Sequence, residues 1–433
     1  MGHLAAMHRP GRLDRCALVV ALLGLLRCGD DVGAAPDAEK GVRYPLKLLA
    51  LPDGKTILVA GANFDRRYRA GKLRALDTAT EHYLQIGVEI PGFVGDMALQ
   101  LADSATPDAL PLRAVATSRE TDEINLPELT ATATNGGPYV LACGEHDRHG
   151  SCDSAHRYPK IAVAATAAPL PLEMLGADPM GVEVLRWGPG NWRVTVAAAA
   201  DGQVTVLALN AAGLVKPLDV ANFGAGLTAV KTVQSTGRTY ISDARSAALH
   251  VFRLDPAPAL PQGYKLVPEP ALTLPAATLR DYGRGLALSA NGGRLYLADR
   301  SPAALLAIDV APDSAGVPRN KVTMVLPLGG QPSEVALAPT GPGGRELAYV
   351  SCYNDDSIWV VDVDLQQVTA KIRLSHAAYG RVAQFVPGTH PLTSQPRGWM
   401  LYAALFNQHN VVAIPIAANA LDRHAVRVIA EAP

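Results

Sequence analysis

The segment Cys143-Gly-Glu-His146-Asp-Arg-His149-Gly-Ser-Cys152 places two thiols and two imidazoles at intervals of three residues. Two chemistries fit it. Four nitrogen and sulfur donors could close around zinc, which prefers a tetrahedron, although this spacing is not one of the usual zinc patterns. Two neighbouring cysteines in an oxidising compartment pair instead, and a bridge closing so short a loop adds roughly 2 to 3 kcal/mol by restricting the unfolded chain.

The leader bears on that choice. Arg9, Arg12 and Arg15 form a basic n-region, and Cys16 to Leu26 is an uncharged, mostly aliphatic run long enough for a signal peptide and too short to span a bilayer. Export makes the Cys143–Cys152 disulfide the leading expectation and leaves Cys352 a small buried thiol. Leu25-Leu26-Arg27-Cys28-Gly29-Asp30-Asp31 reads as a lipoprotein signal with Cys28 as the lipidated residue, departing from the pattern at Arg27, where a small side chain is usual. Val32-Gly33-Ala34 offers ordinary cleavage as the other route. Residues 1–28 are therefore expected as a signal peptide and 29–42 as a flexible linker, with the mature chain outside the cytoplasm. It would be an outer-membrane or cell-surface lipoprotein, or a periplasmic or secreted protein, and only a lipid would tie it to a membrane.

A second set of charges converges only if the chain forms a ring, and the sequence predicts one. Apolar, β-rich runs centred on Leu58, Ala114, Thr195, Tyr240, Tyr296, Tyr349 and Tyr402 follow one another at steps of 56, 81, 45, 56, 53 and 53 residues. A period near 50 suits one four-stranded propeller blade with its loops. Within the copy Gly285 to Asp309, Asn291-Gly292-Gly293 is a hairpin turn between two apolar runs, because those residues tolerate positive φ. The fold class expected is all-β, a seven-bladed propeller over 43–433, and the long step locates an insertion at about 119–160.

Aligning the copies puts Val94-Gly95-Asp96, Phe223-Gly224-Ala225, Tyr282-Gly283-Arg284, Pro332-Ser333-Glu334 and Tyr379-Gly380-Arg381 where each blade's first strand begins, at one mouth of the central channel. The third residue of each would project to the axis. Asp96, Arg284, Glu334 and Arg381, with Tyr282 and Tyr379, are the expected ligand-binding set. The alternative is that these charges pair as rim salt bridges, which contribute little individually. Loops between second and third strands add Asn63, Arg119, Asp299, Arg300, Asp355 and Asp356 on the same face, mostly as turn chemistry and with hard-cation binding as a lesser reading.

The runs Tyr240-Ile-Ser-Asp243, Tyr296-Leu-Ala-Asp299 and Tyr349-Val-Ser351 resemble the Tyr-Val-Thr-Asn repeat of lactonase-like seven-bladed propellers. That resemblance covers roughly 43–431 and implies the fold, while the superfamily spans hydrolases, cofactor-bearing enzymes and binding scaffolds. No catalytic set from its enzyme members can be placed here residue by residue. A net charge of -1 supplies no field for nucleic acid, and the sequence holds no Gly-x-Ser-x-Gly elbow, phosphate loop, His-Glu-x-x-His or haem motif. The expected function is a monomeric, cofactor-free scaffold recognising a protein, peptide or glycan partner of the cell envelope. The other expectation is a lactone hydrolase at the funnel, in which acids and arginines, with or without a divalent cation, polarise a carbonyl.

Overall fold

The computed structural model describes residues 42–429 apart from 53, 67, 69, 103–110, 132–136, 145–151, 154–155, 159–174, 276–280, 339–344, 375–379, 390–395 and 417–426. Cys28 with the rest of the leader, His146, His149 and Tyr379 lie outside these residues.

Six antiparallel sheets of four strands follow one another along the chain, at 45–90, 179–222, 227–273, 283–327, 332–373 and 380–429. Each uses consecutive strands in order, innermost to outermost. The second and third strands of a blade are covered on both faces by neighbouring blades. Arg294–Arg300 and Ala303–Asp309 accordingly read as continuous apolar runs, whereas the outermost Lys321–Pro327 alternates buried and exposed. Tyr240, Tyr296, Tyr349 and Tyr402 are fully buried between blades. Two of them pin their blade to the next, the Tyr240 hydroxyl donating to Asn320 at 2.7 Å and that of Tyr296 to Glu346 at 2.5 Å.

The expectation of seven four-stranded blades is corrected to six. Between the first and the next of them, residues 94–158 form a six-stranded sheet instead. Pro111–Ser118 pairs on one side with Val94–Leu101 and on the other with two short strands, Glu123–Asn125 and Glu128–Ala131. Pro127 separates these two, and a proline cannot donate to a ladder, so what would be a single third strand divides. Each piece takes its own outer partner, Arg157–Tyr158 for the first and Tyr139–Ala142 for the second. The expected insertion thus supplies four short strands of a sheet.

Among the described residues the first and last blades share no strand pairing; Leu48, Ile57, Val59 and Leu76 pack with Met400, Tyr402, Ala404 and Val411. Cys143 and Cys152 are bonded and buried, with Cα atoms 4.6 Å apart, in the apolar cluster of Leu129, Tyr139 and Leu141. Their bridge fastens the outer edge of the irregular sheet. Replacing both by serine should cost roughly 2 to 3 kcal/mol on the loop-entropy scale. Urea unfolding of wild type with and without reductant, set against the double variant, checks this; a midpoint unmoved by either change would show that the bridge adds nothing.

Candidate functional site: the central channel and its mouth

Every innermost strand carries a register shift at its starting end, at Pro45/Lys47, Val94/Met97, Pro179/Gly181, Leu227/Val230, Gly283/Leu286, Pro332/Glu334 and Arg381/Ala383. A bulge adds a residue to one strand and re-aims its side chain, so this recurrence builds a ring of re-aimed residues around one mouth. Glycine lets the ring tighten. A Cβ on Gly95 would lie 2.3 Å from the Pro179 carbonyl oxygen, and one on Gly285 would lie 2.7 Å from that of Ser333, each on the next innermost strand.

Lys47, Asp96 and Glu334 meet in this ring. The Lys47 ammonium donates to Glu334 Oε1 at 2.5 Å and lies 3.4 Å from Asp96 Oδ1, joining three sheets across the axis. Burial pushes the Asp96 carboxyl up, Lys47 opposes the shift and Glu334 adds to it. Just outside lie three arginines. Arg119 holds Asp178, Arg284 donates to Asp281 Oδ1 at 2.5 Å, and Arg300 shares Asp281 at 3.1 Å while donating to Ser333 Oγ at 2.8 Å. Burial and the neighbouring Arg284 lower the Arg300 pKa. The Nε of Arg284 is buried with no hydrogen-bond partner.

Below this polar ring the channel opens into a cavity of about 590 Å³, within the roughly 300–1,000 Å³ of small-molecule sites. Strand alternation orders its wall. Two residues on from Lys47, Asp96 and Glu334 come Leu49, Ala98 and Ala336, and the same step from Ala229 reaches Lys231.

A patch of rings flanks the mouth. Tyr44 and Phe93 precede two innermost strands, and Phe64 and Phe406 sit in loops leaving the strands beside them. Phe64 meets Tyr44 at 5.8 Å in a tilted contact and Phe93 at 5.7 Å and Phe406 at 5.5 Å edge to face, yet remains 57% exposed. His409 completes the patch, its Nδ1 accepting the Tyr44 backbone N–H at 3.1 Å.

Of the residues expected from sequence, Asp96 and Glu334 come together on Lys47, and Arg284 joins the outer arginines. Tyr282 is buried beneath the rim, its backbone carbonyl accepting from Arg300, so it packs and does not project into the mouth. Arg381 lies on the innermost strand Gly380–Thr389. Asp355, considered for a cation, is committed to Lys371 at 2.7 Å, Trp359 at 2.9 Å and Ser357 at 3.0 Å. Among the described residues no three His, Cys, Asp or Glu side chains converge as a metal site would need. Sequence reasoning passed over Lys47 and Lys231, although each is a charge interrupting an apolar strand. It also passed over the aromatic patch, whose three phenylalanines, Phe64, Phe93 and Phe406, are half of the chain's six and lie just outside strand ends.

No family model matches this chain, and no curated protein does. Solved structures share the fold. A provisional 6-phosphogluconolactonase from Bacteroides uniformis is 14% identical over 79% of this chain and 89% of its own, with a TM-score of 0.55. Hydrazine synthase of Kuenenia stuttgartiensis is 12% identical over 89% of this chain and 99% of its own, with a TM-score of 0.54. A Lactobacillus plantarum protein is 14% identical over 76% and 85%, with a TM-score of 0.52. At these identities the likeness concerns the propeller alone.

Proposed function

We propose that this chain is an exported binding propeller whose mouth face recognises a glycan or a peptide of the cell envelope. The observation that supports this most is Phe64, a ring more than half exposed yet fixed by three aromatic neighbours beside the arginine rim. A pre-ordered aromatic face loses little entropy on binding and stacks on flat apolar faces such as those of sugars or proline. The charges beside it are spent on one another: Lys47 serves two carboxylates, and Asp178 and Asp281 hold the arginines. Such pairs orient a polar ligand and discriminate between partners. A hydrolase would instead use an acid aimed at open space. Of the carboxyls whose pKa burial raises, Asp299, at about 6, is fully buried, and Asp96, in the channel, is held by Lys47.

Glycan and proline-rich peptide arrays probed with the purified chain test this reading. Wild type should retain a defined subset of ligands, and Phe64→Ala should lose at least about ten-fold in apparent affinity, the usual cost of an aromatic anchor. Hydrolysis of glucono-δ-lactone above its spontaneous rate, with no array ligand retained, would reject the scaffold in favour of a lactone hydrolase.

A further inference from the structure

Among the described residues, the Lys231 ammonium in the channel has no bonded partner. Lys231 lies on the innermost strand Leu227–Val233 and lines the cavity, one inward-facing position below the level of the Lys47 bridge. Lys47 is bonded to Glu334 and sits 3.4 Å from Asp96. Lys231 feels Asp96 only through space, and among the described residues no carboxylate lies within salt-bridge reach of it. The apolar part of the wall includes Leu49, Ala98, Val184, Ala287 and Ala336. Glu183, also on the wall, is already satisfied by the Thr232 backbone N–H at 3.0 Å and the Thr232 hydroxyl at 2.6 Å.

The other charged groups of the lining, Lys47, Asp96, Glu183 and Glu334, are engaged with one another or with Thr232, so Lys231 and the alanines and leucine near it select the ligand. Neutral molecules leave the charge unused, and a multiply charged one would desolvate groups the alanines cannot pair. We propose that the lower channel binds a small aliphatic monocarboxylate, its carboxylate on the Lys231 ammonium and its hydrocarbon against Leu49, Ala98 and Ala336. Short alanine side chains leave the width such a chain needs, and the polar ring above caps the chamber. This site is separate from the mouth and stands whether or not a macromolecule docks there.

Octanoate and its uncharged counterpart octan-1-ol are the probes. By isothermal titration calorimetry wild type should bind octanoate at least ten-fold more tightly than octan-1-ol. Lys231→Met should lose roughly ten- to hundred-fold for octanoate, the worth of a hydrogen bond to a charged group, and should bind octan-1-ol unchanged. A second readout needs no variant: octanoate should protect Lys231 from reductive methylation while the exposed Lys265 is labelled as before, read by peptide mass spectrometry. The inference is overturned if wild type ignores millimolar octanoate, if octan-1-ol binds as well, if Lys231→Met keeps the octanoate affinity, or if Lys231 labels equally with and without ligand.

Discussion

Replacing Lys47 by methionine should lower stability by about 2 kcal/mol at pH 7.5, and the loss should vanish near pH 4. The substitution keeps the side chain's length and removes only the charge that Asp96 and Glu334 share. Stranding a fully buried charge costs about 3 to 5 kcal/mol. Lys47 is 15% exposed and both carboxylates are 24% exposed, so water recovers part of that cost. The sign follows from linkage. Without the ammonium, the Asp96 carboxyl, which burial already raises, titrates higher still in the folded chain. The folded state then binds extra protons, and its deficit grows as pH rises from the ordinary carboxylate range through the raised folded value. Below that range both states are protonated and the deficit is gone. Urea unfolding at the two pH values measures this, and Lys47→Met with Glu334→Gln should recover about half of the loss. An equal loss at pH 4 would mean that Lys47 acts through packing.

Asp299→Asn, in contrast, should stabilise the protein by about 2 kcal/mol at pH 7.5. The Asp299 carboxyl has no solvent exposure, and its Oδ2 has no hydrogen-bond partner. Burial raises its pKa from 3.8 to about 6, with the Asp281 charge adding and backbone N–H groups of Ser301 and Arg300 opposing. A gap of about two units corresponds to roughly 3 kcal/mol at 1.36 kcal/mol per unit, an upper bound because the new amide must itself be accommodated. Here too the folded pKa is the higher one. The strain is absent below pH 3.8, develops between 3.8 and about 6 and is complete above it. The benefit of asparagine should follow that window. A variant no more stable than wild type at pH 7.5, by thermal or urea denaturation, would show that the carboxylate is better solvated than its burial implies.

The propeller was legible because a blade is local: turn residues such as Asn291-Gly292-Gly293 and the recurring buried tyrosines lie within one stretch of chain. The irregular sheet was not, since the length of an insertion does not reveal that Pro127 will split a strand whose halves recruit partners up to 34 residues away, as Ile124 does with Tyr158. The mouth was half legible. Alignment brought Asp96 and Glu334 to the axis, but the one-residue bulges that aim them leave no periodic trace, and so Lys47, in phase with no motif, escaped notice. The same bulges explain Tyr282. It was grouped with Arg284 by sequence neighbourhood, and the register shift at Gly283 sends the two in different directions.

Because every four-stranded blade is cut from one continuous length of chain, the molecule is in most of its contacts a linear stack, and such stacks grow from neighbour to neighbour at little entropic cost. Among the features that depart from this are the seam of Leu48 and Ile57 against Met400 and Tyr402, and the Lys47–Glu334 bond between residues 287 positions apart. Both need the two ends of the stack to find each other, and among the described residues neither is backed by a backbone ladder shared between the first and last blades. Loop closure over so long a chain is penalised until everything between is in place. Closure of the circle is therefore expected late in folding and early in unfolding. The axial ion pair, formed only when the stack has bent fully round, works as the clasp of the ring.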